Sequence, residues 1–392
     1  MTDYVKEAVE KYASKAKALS DDLGAHPEIS SQEFESSKKI TALLQKAGYG
    51  IEFPFCGMET AFRATLDRGA GPSAALMVEY DALPDVGHGC GHNLHGSLSV
   101  LSALTLMELK ERFSGQLYVI GTPAEEFAGG KIPMAAAGVF DGLALAAMMH
   151  STAGGLCQAD MDALSLRSYT IEFRGQAAHA VACPWMGHSA LAAARKFLDL
   201  IDARRECFTP DIHANAIITD GGAAVNIIPE HAEVCLEFRT ASMATLASVD
   251  DTIKKCAAAA AMALDCTVEW RINYDDFADM VRVKTLEDEV EKLFIEAGAR
   301  MEPVTPPIGS TDVGNVSYRC PTVQPLISIS GEKLALHTRE FAAATAATPA
   351  FEAMKLGAAV LTSLILRVFN DTKFREAIER DFRGTLDKKT KG

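Results

Sequence analysis

Positive charge is scarce in this chain: 38 Lys and Arg stand against 52 Asp and Glu, a formal net charge of −14. A nucleic-acid surface needs clustered Lys and Arg to displace counterions, and the only such cluster is the short tail of Lys388, Lys389 and Lys391. Nucleic acid is excluded as a partner. Long apolar runs are also lacking, with none approaching the length needed to cross a bilayer. Residues 1–17 alternate charges with Val5, Ala8, Val9 and Tyr12, the pattern of an amphipathic surface helix rather than a signal peptide. No membrane partner and a cytoplasmic location are therefore expected. A disulfide framework is missing too, because the nine cysteines are odd in number and scattered, and Cys235 and Cys256 fall in apolar elements. Reduced thiols are the expectation.

What remains is an ordinary globular composition, 48% hydrophobic and 23% charged, on a chain of 392 residues, long enough for two domains. The periodicity predicts a helix to about Leu23, a turn at His26-Pro27-Glu28 and a second helix from Ser31 to Ala47, closed by Gly48. Buried strands are expected at Ala74–Glu79, Gln116–Gly121 and Leu143–Met149, with helices over Ser97–Arg112 and Ile132–Ala137 between them. That alternation predicts an α/β domain with a mixed, mostly parallel sheet flanked by helices. From about Ser165 the order becomes strand, helix, strand, strand, helix, strand, ending near Asn273. This is a split βαβ, ferredoxin-like α+β layout and suggests an inserted domain over 165–280 within a first domain of 1–164 and 281–392. A helix over Leu286–Ala297, a strand over Val323–Ser328 and a long apolar closing helix over Thr348–Val368 complete the reading.

Chemistry-bearing residues concentrate at strand ends. In Gly87–Gly96, three histidines and a cysteine fall within eight residues separated by glycines, so a tightly bent backbone could aim several borderline ligands at one ion. A dinucleotide fingerprint fails because His92 stands where its third glycine belongs. Glu79-Tyr80-Asp81 closes one expected strand, Glu125-Glu126 follows another after Pro123, and His150 ends a third. In open α/β sheets, residues far apart in sequence converge at such ends.

Taken together, Glu79 to Pro84, Gly89 to Asn93, Glu125-Glu126, His150 and Gly175 to Pro184 resemble the aminoacylase and glutamate-carboxypeptidase family of co-catalytic metallopeptidases. The likeness runs over nearly the whole chain. Its nearest branch holds aminobenzoyl-glutamate hydrolases, indole-acetyl-amino-acid hydrolases and a dipeptidase subgroup. The resemblance implies that Cys90, His92, Glu126, His150 and His337 hold two divalent ions, Zn²⁺ or Mn²⁺, with the Cys90 thiolate shared. It implies Glu125 as general base. On extended backbone successive side chains diverge, which would let Glu126 bind metal while Glu125 faces the attacking water. Asp81 would fix the tautomer of a ligating imidazole, that of His92. His179, in the inserted dimerisation and lid domain, and Asn226 match residues donated across a homodimer interface to the oxyanion.

The implied activity is hydrolysis, through metal-activated water, of the amide bond of an N-acyl or aminobenzoyl amino acid or a dipeptide-like substrate carrying a free carboxylate. Asn93 replaces the aspartate of many members, and Glu79 stands where the carboxypeptidase branch has a metal-ligating histidine. His88 and His95 flank the motif without a ligand role, and Trp185 could wall the site. Two other readings of the residues stay open: a cysteine hydrolase with Cys90 as nucleophile, and a non-catalytic binding module on the same fold.

Overall fold

The computed structural model describes residues 2–391. Met1 and Gly392, the ends of the expected first domain, lie outside the described residues. The chain divides into two compact units, one reaching Asp162 and including Met280–Pro307 and Thr311–Lys391, the other comprising Ala163–Asp279 and Ile308–Ser310. Ile308–Ser310, assigned by the linear reading to the first domain, groups with the second because Leu164 N–H donates to the Gly309 carbonyl at 2.8 Å.

In the first unit a six-stranded sheet runs in the order Gly50–Glu52, Phe62–Asp67, Gln116–Gly121, Ser73–Val78, Leu145–Ala147, Thr322–Val323. The first two pairings are antiparallel and the remaining three parallel, so the sheet is mixed and mostly parallel. Ser73–Val78 reads as a continuous apolar run because the strand is buried along almost its whole length. The N-terminal helix Asp3–Ala25 buries Val5, Val9, Ala13, Ala16, Leu19 and Leu23, each three or four positions after the last, as a helix with one covered face does. The helix His92–Glu108 is buried on nearly every side, which explains why no amphipathic pattern marks its first turns.

Several expectations from sequence are corrected. The helix expected from Ser97 begins at His92, five residues earlier, so His92, Asn93 and His95 are helical and only the residues through Gly91 (φ 80°) form the bent stretch. Leu143–Met149 contracts to Leu145–Ala147, and His150 opens a separate short strand, His150–Thr152, instead of ending the earlier one. Val323–Ser328 is two strands, Thr322–Val323 and Leu326–Ser328, in different sheets. Between them Pro325 has no N–H to give a ladder, and Gln324 N–H turns to Asp160. Thr348–Asn370 is not the closing helix, because Thr372–Lys391 follows it and contains the basic residues Lys388 and Lys389. The absence of any membrane-length apolar run is also corrected. Thr348–Asn370 is long and apolar enough by length and composition, but two thirds of its apolar window is buried inside the protein, as in a core helix.

The second unit carries an antiparallel sheet in the order Thr267–Ile272, Ser165–Arg174, His231–Thr240, His213–Asp220. Helices Ala190–Arg204 and Met243–Ala263 pack into one core with its Ile171, Phe173, Val234, Leu236 and Phe238. This is the split βαβ order. Burial alternates strictly along His231–Thr240, with Ala232, Val234, Leu236 and Phe238 buried and His231, Glu233, Glu237 and Arg239 half-exposed, as expected of a sheet with one covered face. All nine cysteines are free.

Candidate active site

The cluster forms where the strand Ser73–Val78 ends and the helix His92–Glu108 begins. Gly96 makes the approach possible: a Cβ there would lie 2.0 Å from the Glu79 carbonyl oxygen, so any other residue would push the helix off the strand end. This contact sets His92 and His95, three apart on one helical face, beside Glu79 and Asp81.

His92 is fully buried and its Nδ1 pairs with Asp81 Oδ1 at 2.9 Å. Its Nε2 has no hydrogen-bond partner. That nitrogen lies 3.5 Å from Glu79 Oε2, 3.8 Å from Glu126 Oε1 and 3.9 Å from Glu125 Oε2. Three groups offer ligand atoms all within 4.8 Å of one another: Glu79, His92, His95 and His150; Cys90, His92 and Glu126; and Glu79, Glu125 and Asp312. His337 Nε2 stands 3.6 Å from Glu126 Oε2, on a residue at φ 63° whose N–H donates to the Gly89 carbonyl at 3.0 Å. Cys90, His92, Glu126, His150 and His337 are thus brought to one region, although His337 is largely exposed while the others are buried or nearly so.

Glu125 and Glu126 do not lie on extended backbone. They occupy a turn entered through Ala124, which is left-handed at φ 61°. Their carboxylates diverge because of that turn, Glu126 toward Cys90 and Glu125 toward Glu79 and Asp312.

Electrostatics distinguish the members. Burial lifts the Glu125 carboxyl well above the usual carboxylate range, and the charges of Glu79 and Asp312 add to it. Burial works against a charged His92, but Asp81, Glu79 and Glu126 outweigh it and hold the imidazole well above its usual value. Burial instead keeps His95 neutral, down to about 4, and His150 down to about 3. The Cys90 thiol is pushed up, by burial first and then by Glu126, Glu125 and Glu79.

His95, Glu79, Lys131 and Asp312 carry more of this arrangement than their sequence context suggested. His95 Nε2 meets Glu79 Oε2 at 2.9 Å, and Lys131 Nζ donates to Glu79 Oε1 at 2.6 Å and Asp312 Oδ1 at 2.7 Å, all four residues being buried. The spacing of His92 and His95 would have shown their shared face had the helix been started at His92. Nothing in Gly-Lys-Ile-Pro marks Lys131 as buried.

His179 and Asn226 lie in the second unit. His179 pairs with Ile227 across a two-residue ladder, and the Asn226 carbonyl accepts the N–H of Ala180 at 2.9 Å, so the two are neighbours there. Trp185 is exposed on a short 3₁₀ turn that follows His179 in the chain.

Residues 165–264 match the peptidase dimerisation domain of the M20 family. Over 97% of its length the chain is 32% identical to the Xaa-Arg dipeptidase of Mus musculus, covering 91% of that protein. It is 29% identical to a p-aminobenzoyl-glutamate hydrolase polypeptide of Escherichia coli strain K12, over 69% of this chain and 60% of that one. Among solved structures, a dinuclear metal-binding M20 peptidase from Bacillus subtilis superposes with TM-score 0.70 at 21% identity, covering 92% of this chain and 99% of the other. The class so defined is a peptidase-type hydrolase. The chain belongs to the M20 peptidase family.

Proposed function

We propose that this protein hydrolyses the amide bond of a dipeptide, or of an N-acyl or aminobenzoyl amino acid, bearing a free carboxylate, using two divalent ions per subunit. The observation that carries this reading is the buried, partnerless Nε2 of His92, within 4 Å of three carboxylates in a region that also gathers a thiol and further imidazoles. Nitrogen, sulfur and oxygen donors together suit Zn²⁺ or Mn²⁺. The buried ammonium of Lys131 is taken up by Glu79 and Asp312, which leaves Glu125 and Glu126 without a lysine or arginine partner among the described residues. Cys90, His92, Glu126, His150 and His337 would hold the ions. When bound, they supply Lewis-acid polarisation of the substrate carbonyl and acidify water.

The chain's own groups do the rest. Glu125, with its raised proton affinity, takes a proton from the attacking water and returns it to the leaving amine. Asp81 holds His92 in one tautomer, leaving Nε2 free to ligate. His179 and Asn226 of a second copy would donate to the oxyanion, a role consistent with the match of their unit to a dimerisation domain. A cytoplasmic, reducing location fits the free thiols. The surroundings of Cys90 oppose the thiol-nucleophile reading, since acidic neighbours raise a thiol that a catalytic cysteine needs lowered.

The test is dialysis against a chelator, then assay of free amine released from Xaa-Arg dipeptides, aminobenzoyl-glutamate and N-acyl amino acids. Activity should vanish and return with Mn²⁺ or Zn²⁺. Turnover that survives complete metal removal would overturn the proposal.

A further inference from the structure

Glu33 lies outside the cluster, touches none of its candidate ligands, and yet is a fully buried carboxylate. Its Oε1 accepts the N–H of Ser31 at 2.8 Å and the N–H of Ala124 at 2.9 Å, and its Oε2 accepts the Thr60 hydroxyl at 2.9 Å. The bond to Ala124 spans 91 positions in sequence and ends one residue before Glu125.

Ala124 needs such a restraint. It is a buried alanine at φ 61°, a conformation in which Cβ crowds the following carbonyl and which persists only where surroundings over-determine it. On its far side the turn is closed by the N–H groups of Ala128 and Gly129 on the Ala124 carbonyl, at 3.1 and 2.8 Å. Two residues on, Glu126 N–H donates to Asp81 Oδ2 at 3.0 Å. Two buried carboxylates therefore grip alternate N–H groups of one turn, with Glu125 between them.

The two grips are themselves joined. Ser30 Oγ donates to the same Asp81 oxygen at 2.7 Å, and Ala82 N–H donates to the Glu28 carbonyl at 2.8 Å. The segment Glu28–Glu33 is thereby fastened both to the strand end that carries Asp81 and to the turn that carries the two glutamates.

We infer that Glu33 is a positioning residue for Glu125: its carboxylate holds the left-handed peptide at Ala124 and so fixes the direction in which Glu125 leaves the turn. A charged acceptor suits the task because it binds an amide N–H more tightly than a neutral one, and three donors share its charge without any pointing at the cluster. This rests on Glu125 acting as the proton acceptor.

The experiment compares Glu33→Ala, Glu33→Gln, Ala124→Gly and Glu33→Ala/Ala124→Gly in metal-loaded protein. It reads kcat, KM, bound metal by elemental analysis, and amide exchange of a peptide covering residues 122–130. Glu33→Ala should lower kcat on the order of a hundredfold, the scale of a misplaced catalytic group. KM and metal content should hold, and exchange at 122–130 should speed up. Glu33→Gln keeps an oxygen for Ala124 and should recover most of kcat. In the Ala124→Gly background, where the left-handed conformation costs nothing, the Glu33→Ala penalty should shrink. An equal penalty in both backgrounds, or a loss of kcat that only follows lost metal, would overturn the inference. Should Glu125→Gln prove fully active, the base assignment has failed and exchange alone decides: unchanged protection at 122–130 in Glu33→Ala removes the clamp.

Discussion

Replacing Lys131 by Met offers the sharpest check on the electrostatics of the site. Its ammonium is wholly buried between Glu79 and Asp312, bonded to one oxygen of each at 2.6 and 2.7 Å. Methionine matches the length of the chain but leaves two desolvated carboxylates facing each other. Breaking a buried ion pair in this way costs about 3–5 kcal/mol, which for a unit of this size lowers the melting temperature by roughly 5–10 °C. The loss depends on pH. Lys131 holds Glu79 well below the usual carboxylate range against the opposing effect of burial; with the ammonium gone burial lifts that carboxyl instead, so the variant takes up a proton at a pH where the parent does not, and its penalty is relieved as pH falls. Destabilisation by Lys131→Met should therefore be largest near pH 7.5 and shrink toward pH 4. A second signature follows from the place it vacates, because oxygens of Glu79, Glu125 and Asp312 already lie within 4.8 Å of one another. Added Mn²⁺ should raise the melting temperature of the variant more than that of the parent. Scanning calorimetry of metal-free and Mn²⁺-loaded protein at both pH values measures all of this. A variant within 1 kcal/mol of the parent at pH 7.5, or one whose deficit grows in acid, would refute the reasoning.

Three further outcomes are expected. Glu125→Gln should reduce kcat by about 10²–10⁴-fold with bound metal unchanged, as seen by elemental analysis beside steady-state kinetics. Asp81→Ala frees the His92 ring and should weaken metal affinity about 10–100-fold in competition with a chromogenic chelator. In metal-free protein two opposed pH dependences should coexist. His95 and His150 stay neutral when folded, to about 4 and about 3, whereas an unfolded His protonates near 6.5, so stability falls as pH drops below that value. Burial raises Asp160 to about 7 from 3.8, so the folded state holds a proton the unfolded state releases, and that group erodes stability as pH rises between those values. Denaturant titrations at stepped pH should show Asp160→Asn making the second slope shallower, with the raised Glu125 carboxyl supplying the remainder, and leaving the first slope unchanged.

Legibility from sequence followed how locally each feature is determined. Gln116–Gly121 was readable to the residue because a buried strand is a short apolar run with turn signals at both ends. The helix start at His92 was not, because a helix buried all round shows no periodic stripe and the glycines before it read as loop. The divergence of Glu125 and Glu126 was anticipated for the wrong reason: the cause is the left-handed Ala124, and an alanine carries no sign that it will adopt positive φ. The likeness to metallopeptidases rested on motifs whose spacing is visible along the chain.

By itself the chain of residues determined the α/β class with its split βαβ companion, the longer helices and the buried central strands, and which imidazoles, thiol and carboxylates were available, since patterning and short-range spacing act through neighbours. Only the tertiary structure decided which of them meet. Glu33 reaching Ala124 across 91 positions, and Lys131 lying between Glu79 and Asp312, are contacts made by packing a strand end, a turn and two short helices together. Those contacts then become chemistry: burial raises the Glu125 carboxyl, the Lys131 ammonium lowers that of Glu79 against burial, and one imidazole nitrogen is left without a partner.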